Sequence, residues 1–152
     1  MRTVKNILDS KQKSFNAISP STMVIDALSQ LNSVNLSYLI VMEGEDYRGI
    51  FSERDYSRNV ILKGRSSNST TVAEVMTTDL PVVNFTDTVE YCMNTMIINK
   101  TRYLLAYDSH DRFAGVVTIH DLLREVIANK EEVFDALTAK DLLDEDESGN
   151  IF

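Results

Sequence analysis

With 152 residues, 43% of them hydrophobic, the chain is long enough for one domain or a compact pair of subdomains around a buried core. Its formal net charge of -8 argues against broad attraction to nucleic acid or an anionic membrane. Cys92 is the one cysteine, which rules out an internal disulfide, and with only His110 and His120 beside it no metal site is expected.

The chain begins MRTVKNILDSKQK, without the apolar centre of a signal peptide, and no apolar run approaches the roughly 20 residues that cross a bilayer, so a cytoplasmic protein is expected. Within that opening, TVKNIL (3–8) reads as a short amphipathic helical turn. NAISP (16–20) follows, and the hydroxyl-rich SPST (19–22) reads as the start of a helix. That helix has its buried stripe at Val24, Ala27, Leu28 and Leu31, spaced i, i+3, i+4 and i+7. The apolar run YLIVM (38–42) is of strand length, EGEDYR is a hairpin turn, and the returning strand ends in GIFSERD (49–55). An amphipathic helix, ERDYSRNVILKG, follows.

GRSSNSTT (64–71) has the composition of a connecting loop, and beyond it the same order starts again. TVAEVM (71–76) answers TVKNIL, LPVVN (80–84) answers NAISP, and FTDT (85–88) marks a helix start with a stripe at Val89, Cys92, Met93 and Met96. YLLAY (103–107), the turn DSHDR and the motif GVVTIHD (115–121) complete the copy, ahead of the helix IHDLLREVIANK. The expected division is a first repeat at 1–65, a second at 66–130, and a C-terminal helix with an acidic tail at 131–152.

The duplicated motif places a hydroxyl, Ser52 or Thr118, and a carboxylate, Asp55 or Asp121, on one side of a strand-to-helix corner. Such a carboxylate can accept both hydrogens of a ribose diol, while the neighbouring helix amides favour an anion. Gly49 and Gly115 permit close backbone approach on the strand before it. The same spacing is also that of a capping box, and for one isolated copy the cap is the simpler reading. Arg54 and His120 stand at equivalent positions before the two aspartates. No Gly-Lys-Ser/Thr phosphate loop and no GxGxxG fingerprint occurs, and two histidines are too few for a phosphohydrolase-type metal centre.

Over about residues 2–128, the repeated βαββα order with GIFSERD and GVVTIHD resembles a tandem pair of CBS domains, a Bateman module, of the stand-alone bacterial kind. The resemblance implies an α/β fold of two pseudo-symmetric CBS repeats packed through their sheets. It also implies clefts for adenosine-containing ligands such as AMP, ADP, ATP, NAD or S-adenosylmethionine, a homodimer, and a non-catalytic role in regulating another protein. By that resemblance one cleft is expected around Ser52, Arg54 and Asp55, with Arg102 reaching its phosphate, and a weaker phosphate site around Thr118, His120 and Asp121. Ile18, Val82 and Val83 are the candidates to line adenine, with strand core as their alternative. A rival reading keeps the fold but leaves the clefts empty, as a dimerisation and protein-interaction scaffold.

Overall fold

A computed structural model describes residues 2–11, 16–34 and 37–129; the expected C-terminal helix and tail lie outside them. In chain order the elements are α1 (Val4–Ser10), β1 (Ala17–Ile18), α2 (Val24–Val34), β2 (Tyr38–Glu43), β3 (Asp46–Ser52) and α3 (Glu53–Tyr56), which runs on as a π turn (Ser57–Ile61). A 3-10 turn (Val72–Glu74), β4 (Val82–Asn84), α4 (Val89–Asn99), β5 (Tyr103–Tyr107), β6 (Phe113–Thr118) and α5 (Ile119–Asn129) follow. No helix among the described residues is long and apolar enough to cross a membrane.

Each repeat builds one three-stranded sheet, ordered β1-β2-β3 or β4-β5-β6, with the short outer strand parallel to the middle one and the hairpin antiparallel. The registers correspond, Ile18 beside Val41 and Val83 beside Ala106, and both hairpins slip register just after those middle-strand residues. The middle strands are buried through their apolar centres, Leu39 to Val41 and Tyr103 to Ala106. One core gathers Leu39, Val41 and Phe51 beneath Val24, Ala27 and Leu31 of α2; the other gathers Leu104, Ala106 and Val117 beneath Cys92, Met93 and Met96 of α4. The helical stripes read from the sequence are the faces that close these cores.

The chain forms two compact units, Ser14–Asp79 and the combination of Met1–Lys13 with Leu80–Phe152. The segment that opens each repeat therefore sits with the other repeat's sheet. In one unit the Val4 amide donates to Asp87 O, Lys5 to Phe85 O, and the Val89 amide that opens α4 donates to Arg2 O. In the other, Val72 donates to Thr22 O, Ala73 to Pro20 O, and the Val24 amide that opens α2 donates to Thr70 O. These are the same three bonds at equivalent positions, so one exchange of segments occurs twice.

Three local expectations change. TVAEVM forms a 3-10 turn where TVKNIL forms an α-helix. The hydroxyls of Ser19, Ser21 and Thr22 bond one another instead of capping α2, because Met23, which precedes Val24 as Thr88 precedes Val89, carries no hydroxyl; the first two amides of α2 donate to Thr70 O and Ser67 O in the connecting loop. The helix after GIFSERD holds α geometry only to Tyr56, and amides five residues on close its wider turns, Leu62 to Ser57 O and Arg65 to Val60 O. At the second helix start the expectation holds: Thr88 accepts from the Tyr91 amide at 3.0 Å.

Candidate functional site

Both motifs close a strand-to-helix corner in the same way. Ser52 ends β3 in an extended conformation, and its hydroxyl accepts from the Asp55 amide while the Asp55 carboxylate accepts from the Ser52 amide at 2.9 Å. Thr118 and Asp121 repeat this: the Thr118 amide donates to Asp121 Oδ2 at 2.9 Å and the Asp121 amide to Thr118 Oγ1 at 3.2 Å. The capping reading is therefore met in both copies, with all four side chains buried. A cap and a ligand grip are compatible, because a carboxylate offers roughly four acceptor positions.

What surrounds the carboxylates differs. Asp55 Oδ2 also accepts from the Ser52 hydroxyl, and Oδ1 accepts from the Thr77 hydroxyl at 2.7 Å. Thr77 is held there by two backbone bonds with Ile50, and the approach is tight. A Cβ on Gly49 would stand 2.8 Å from both Met76 Sδ and Thr77 O, so this glycine is the close-approach position the motif requires. At Asp121 the donors are cations. Lys11 Nζ gives one hydrogen to Asp121 Oδ2 and one to Val116 O, each at 2.8 Å, and Arg124 reaches Oδ1 at 2.7 Å. Val116 and Ile50 are equivalent in the repeat, so the Lys11 ammonium meets the same carbonyl and the same motif aspartate that Thr77 meets with its amide and hydroxyl, though on the carboxylate it takes Oδ2 where Thr77 takes Oδ1.

The ionisation of the two carboxylates separates accordingly. Burial pushes Asp55 above its ordinary value, and the bonds from Thr77 and Ser52 with the charge of Arg58 offset this only in part. Burial acts upward on Asp121 too, but the charge and hydrogen bond of Lys11, helped by the Thr118 amide and Arg124, hold it below the ordinary value. Arg58 and Arg124 each stand three residues after their aspartate, yet only Arg124, on regular α5, bonds it. Arg58 lies in the π turn, where the i, i+3 pairing geometry is lost.

The remaining expected residues are spread. Arg54 occupies the first turn of α3, and His120, exposed between the buried Ile119 and Asp121, the first turn of α5. Arg102 lies at the second motif, its guanidinium 3.4 Å from His120 Nε2 and its carbonyl accepting from the Ile119 amide. Of the residues expected at adenine, Ile18 and Val83 are buried in the two cores, while Val82, on the opposite face of β4, is 53% exposed. Lys11, Thr77 and Arg124 escaped the sequence reading. The Asp-x-x-Arg spacing shared by both motifs pointed to Arg124; Lys11 and Thr77 stand at unequal distances after TVKNIL and TVAEVM, so matching the repeats could not find them.

Comparison with known proteins gives the corner its context. The family model of the CBS domain matches residues 4–61 and again 72–128. The mitochondrial CBS domain-containing protein CBSX3 of Arabidopsis thaliana is 30% identical over 146 residues, 90% of this chain and 70% of that protein. A putative signal-transduction protein with CBS domains from Burkholderia ambifaria superposes with a TM-score of 0.77 at 32% identity, over 88% of this chain and 98% of that one. CBSX2, in complex with AMP, superposes at 0.70 with 24% identity, over 86% of this chain and 100% of that one. Two matches of one family model, each ending in a helix whose first turn carries a motif aspartate, make this chain a member of the CBS-domain family, built as a pair of CBS repeats.

Proposed function

We propose that this chain is a non-catalytic regulatory module that senses an adenosine-containing ligand, AMP, ADP, ATP or NAD, through its two motif corners, and passes that state to a protein it regulates. The observation that carries the reading is the recurrence of a buried hydroxyl and carboxylate at one corner of each repeat, each carboxylate keeping capacity beyond its cap. Asp55 accepts three hydrogen bonds, from the Ser52 amide, the Ser52 hydroxyl and Thr77; Asp121 also accepts three, from Thr118, Lys11 and Arg124. About one of four acceptor positions remains on each, enough for one ribose hydroxyl. Accepting the second hydrogen of the diol requires an internal donor to turn away, the Thr77 hydroxyl at one corner or the exposed Arg124 at the other. AMP bound to CBSX2, a protein of the same fold, supports the ligand class.

Tyr91 and Ile98 on α4 and Ile127 on α5, all exposed, support the homodimer expected of such a module, and a cytoplasmic setting fits the composition. One observation favours the scaffold reading instead: the caps are complete without any ligand. Calorimetric titration with AMP, ATP and NAD, followed by chromatography of the ligand, separates the readings. A sensor gives saturable heat and returns the nucleotide unchanged; heat with conversion of the nucleotide refutes the non-catalytic role, and no heat with any of them favours the scaffold.

A further inference from the structure

We infer that Lys11 sets the two motifs apart in what they hold, making the second motif the stronger site for an anionic ligand oxygen, the reverse of the ranking expected from the sequence, while the first is the stronger site for the ribose diol. The assignment rests on the nucleotide-sensing reading and divides it between the corners. Lys11 gives two of its three ammonium hydrogens to Val116 O and Asp121 Oδ2. Its side chain is 28% exposed, so the third hydrogen is within reach of a ligand oxygen. Arg124, 72% exposed, adds a second cation, and two cations against one carboxylate leave the corner positive. The same ion pairs that hold Asp121 ionised also draw on its lone pairs, which weakens it as an acceptor for a hydroxyl. Asp55 meets only uncharged donors, from Ser52 and Thr77, and is the stronger acceptor for that reason. A phosphorylated nucleoside is therefore favoured over its nucleoside at the second motif through Lys11, whereas the diol grip is stronger at the first.

Titration of adenosine and of AMP, read through the backbone amide resonances of Ser52 and Asp55 for one motif and of Thr118 and Asp121 for the other, gives an affinity at each corner. At Thr118 and Asp121 the wild-type chain is expected to hold AMP at least about tenfold more tightly than adenosine, the worth of one charge-assisted hydrogen bond. Lys11→Gln, which keeps a donor and removes the charge, is expected to bring that ratio within about twofold, Lys11→Arg to retain it, and neither to move the ratio at Ser52 and Asp55. If Lys11→Gln does not fold, the wild-type ratio is compared at low and high salt, where a charge-based preference falls. A ratio near one in the wild type, a ratio that survives Lys11→Gln, or a ratio indifferent to salt overturns the assignment while leaving the sensor reading in place. No response to either compound at either corner overturns both.

Discussion

Asp121 is buried between two cations, whereas Asp55 is buried among neutral donors, and the difference shows in how each aspartate couples folding to pH. The Asp121 carboxyl is held below its ordinary 3.8, so its contribution to stability is fully present above that value and is lost as pH falls through the lower folded value. The Asp55 carboxyl is raised above 3.8, so the folded state binds its proton more readily and stability falls as pH rises from 3.8 through the raised value. Asp121→Asn is accordingly expected to cost about 1.5 to 3 kcal/mol at pH 7, the range for a hydrogen bond to a charged group, and progressively less as pH falls below 3.8. Asp55→Asn is expected to be close to neutral, or stabilising, at pH 7. Urea denaturation of both variants and the wild type between pH 3 and 7 checks this; Asp55→Asn proving the costlier at neutral pH would contradict it. Gly49→Ala forces a methyl to 2.8 Å from the Thr77 carbonyl, a backbone atom that cannot rotate away, and is expected to destabilise by about 1 to 3 kcal/mol in the same assay. The motif residues themselves were legible because they are local: glycine, hydroxyl and aspartate lie within seven positions. Lys11 was not, since it meets Asp121 across a separation of 110 residues that no spacing rule spans.

Among the elements, the two helices that cover the sheets begin differently despite their matched stripes. α4 is capped by Thr88, so Thr88→Ala is expected to cost about 1 kcal/mol and Thr88→Ser little, measured by chemical denaturation. At α2 the residue before Val24 is Met23, which has no hydroxyl, and the Thr22 hydroxyl bonds Ser19, so Thr22→Ala is expected to cost less than Thr88→Ala. Cys92 lies on the buried face of α4, where burial, with a smaller contribution from the Asp87 charge, pushes its thiol up to about 12. Native protein at pH 8 should therefore resist a thiol-specific reagent until urea exposes the core, and rapid native labelling would contradict that burial. Helix stripes, strand runs and hairpin turns were legible in chain order because each follows from periodicity within a dozen residues. The π turn at Ser57–Ile61 was not, since nothing in SRNVI departs from an ordinary amphipathic pattern and the wide turn is closed only by bonds between residues five apart. The exchange of opening segments was equally hidden: TVKNIL and TVAEVM announced a repeat, but which sheet each joins is decided by long-range backbone bonds.

For the molecule as a whole, the repeated chain order and the family it resembles carried the reading from sequence to fold, and the family model found twice agrees with it. A homodimer is the expected assembly, and light scattering at tens of micromolar, where even weak complexes form, should give a mass near twice 17.2 kDa. The claim on which the rest depends is that the motif corners hold an adenine nucleotide in the native state. The thermal unfolding midpoint with and without AMP, ATP and NAD at about 100 times a typical micromolar dissociation constant tests it, because a ligand that binds only the folded chain then adds about 2.7 kcal/mol. At least one of the three is expected to raise the midpoint of the wild type by several degrees, and to raise that of the Asp55→Asn, Asp121→Asn double variant by much less. An unchanged midpoint with all three, or an equal rise in the double variant, would contradict the assignment of these corners as the nucleotide site.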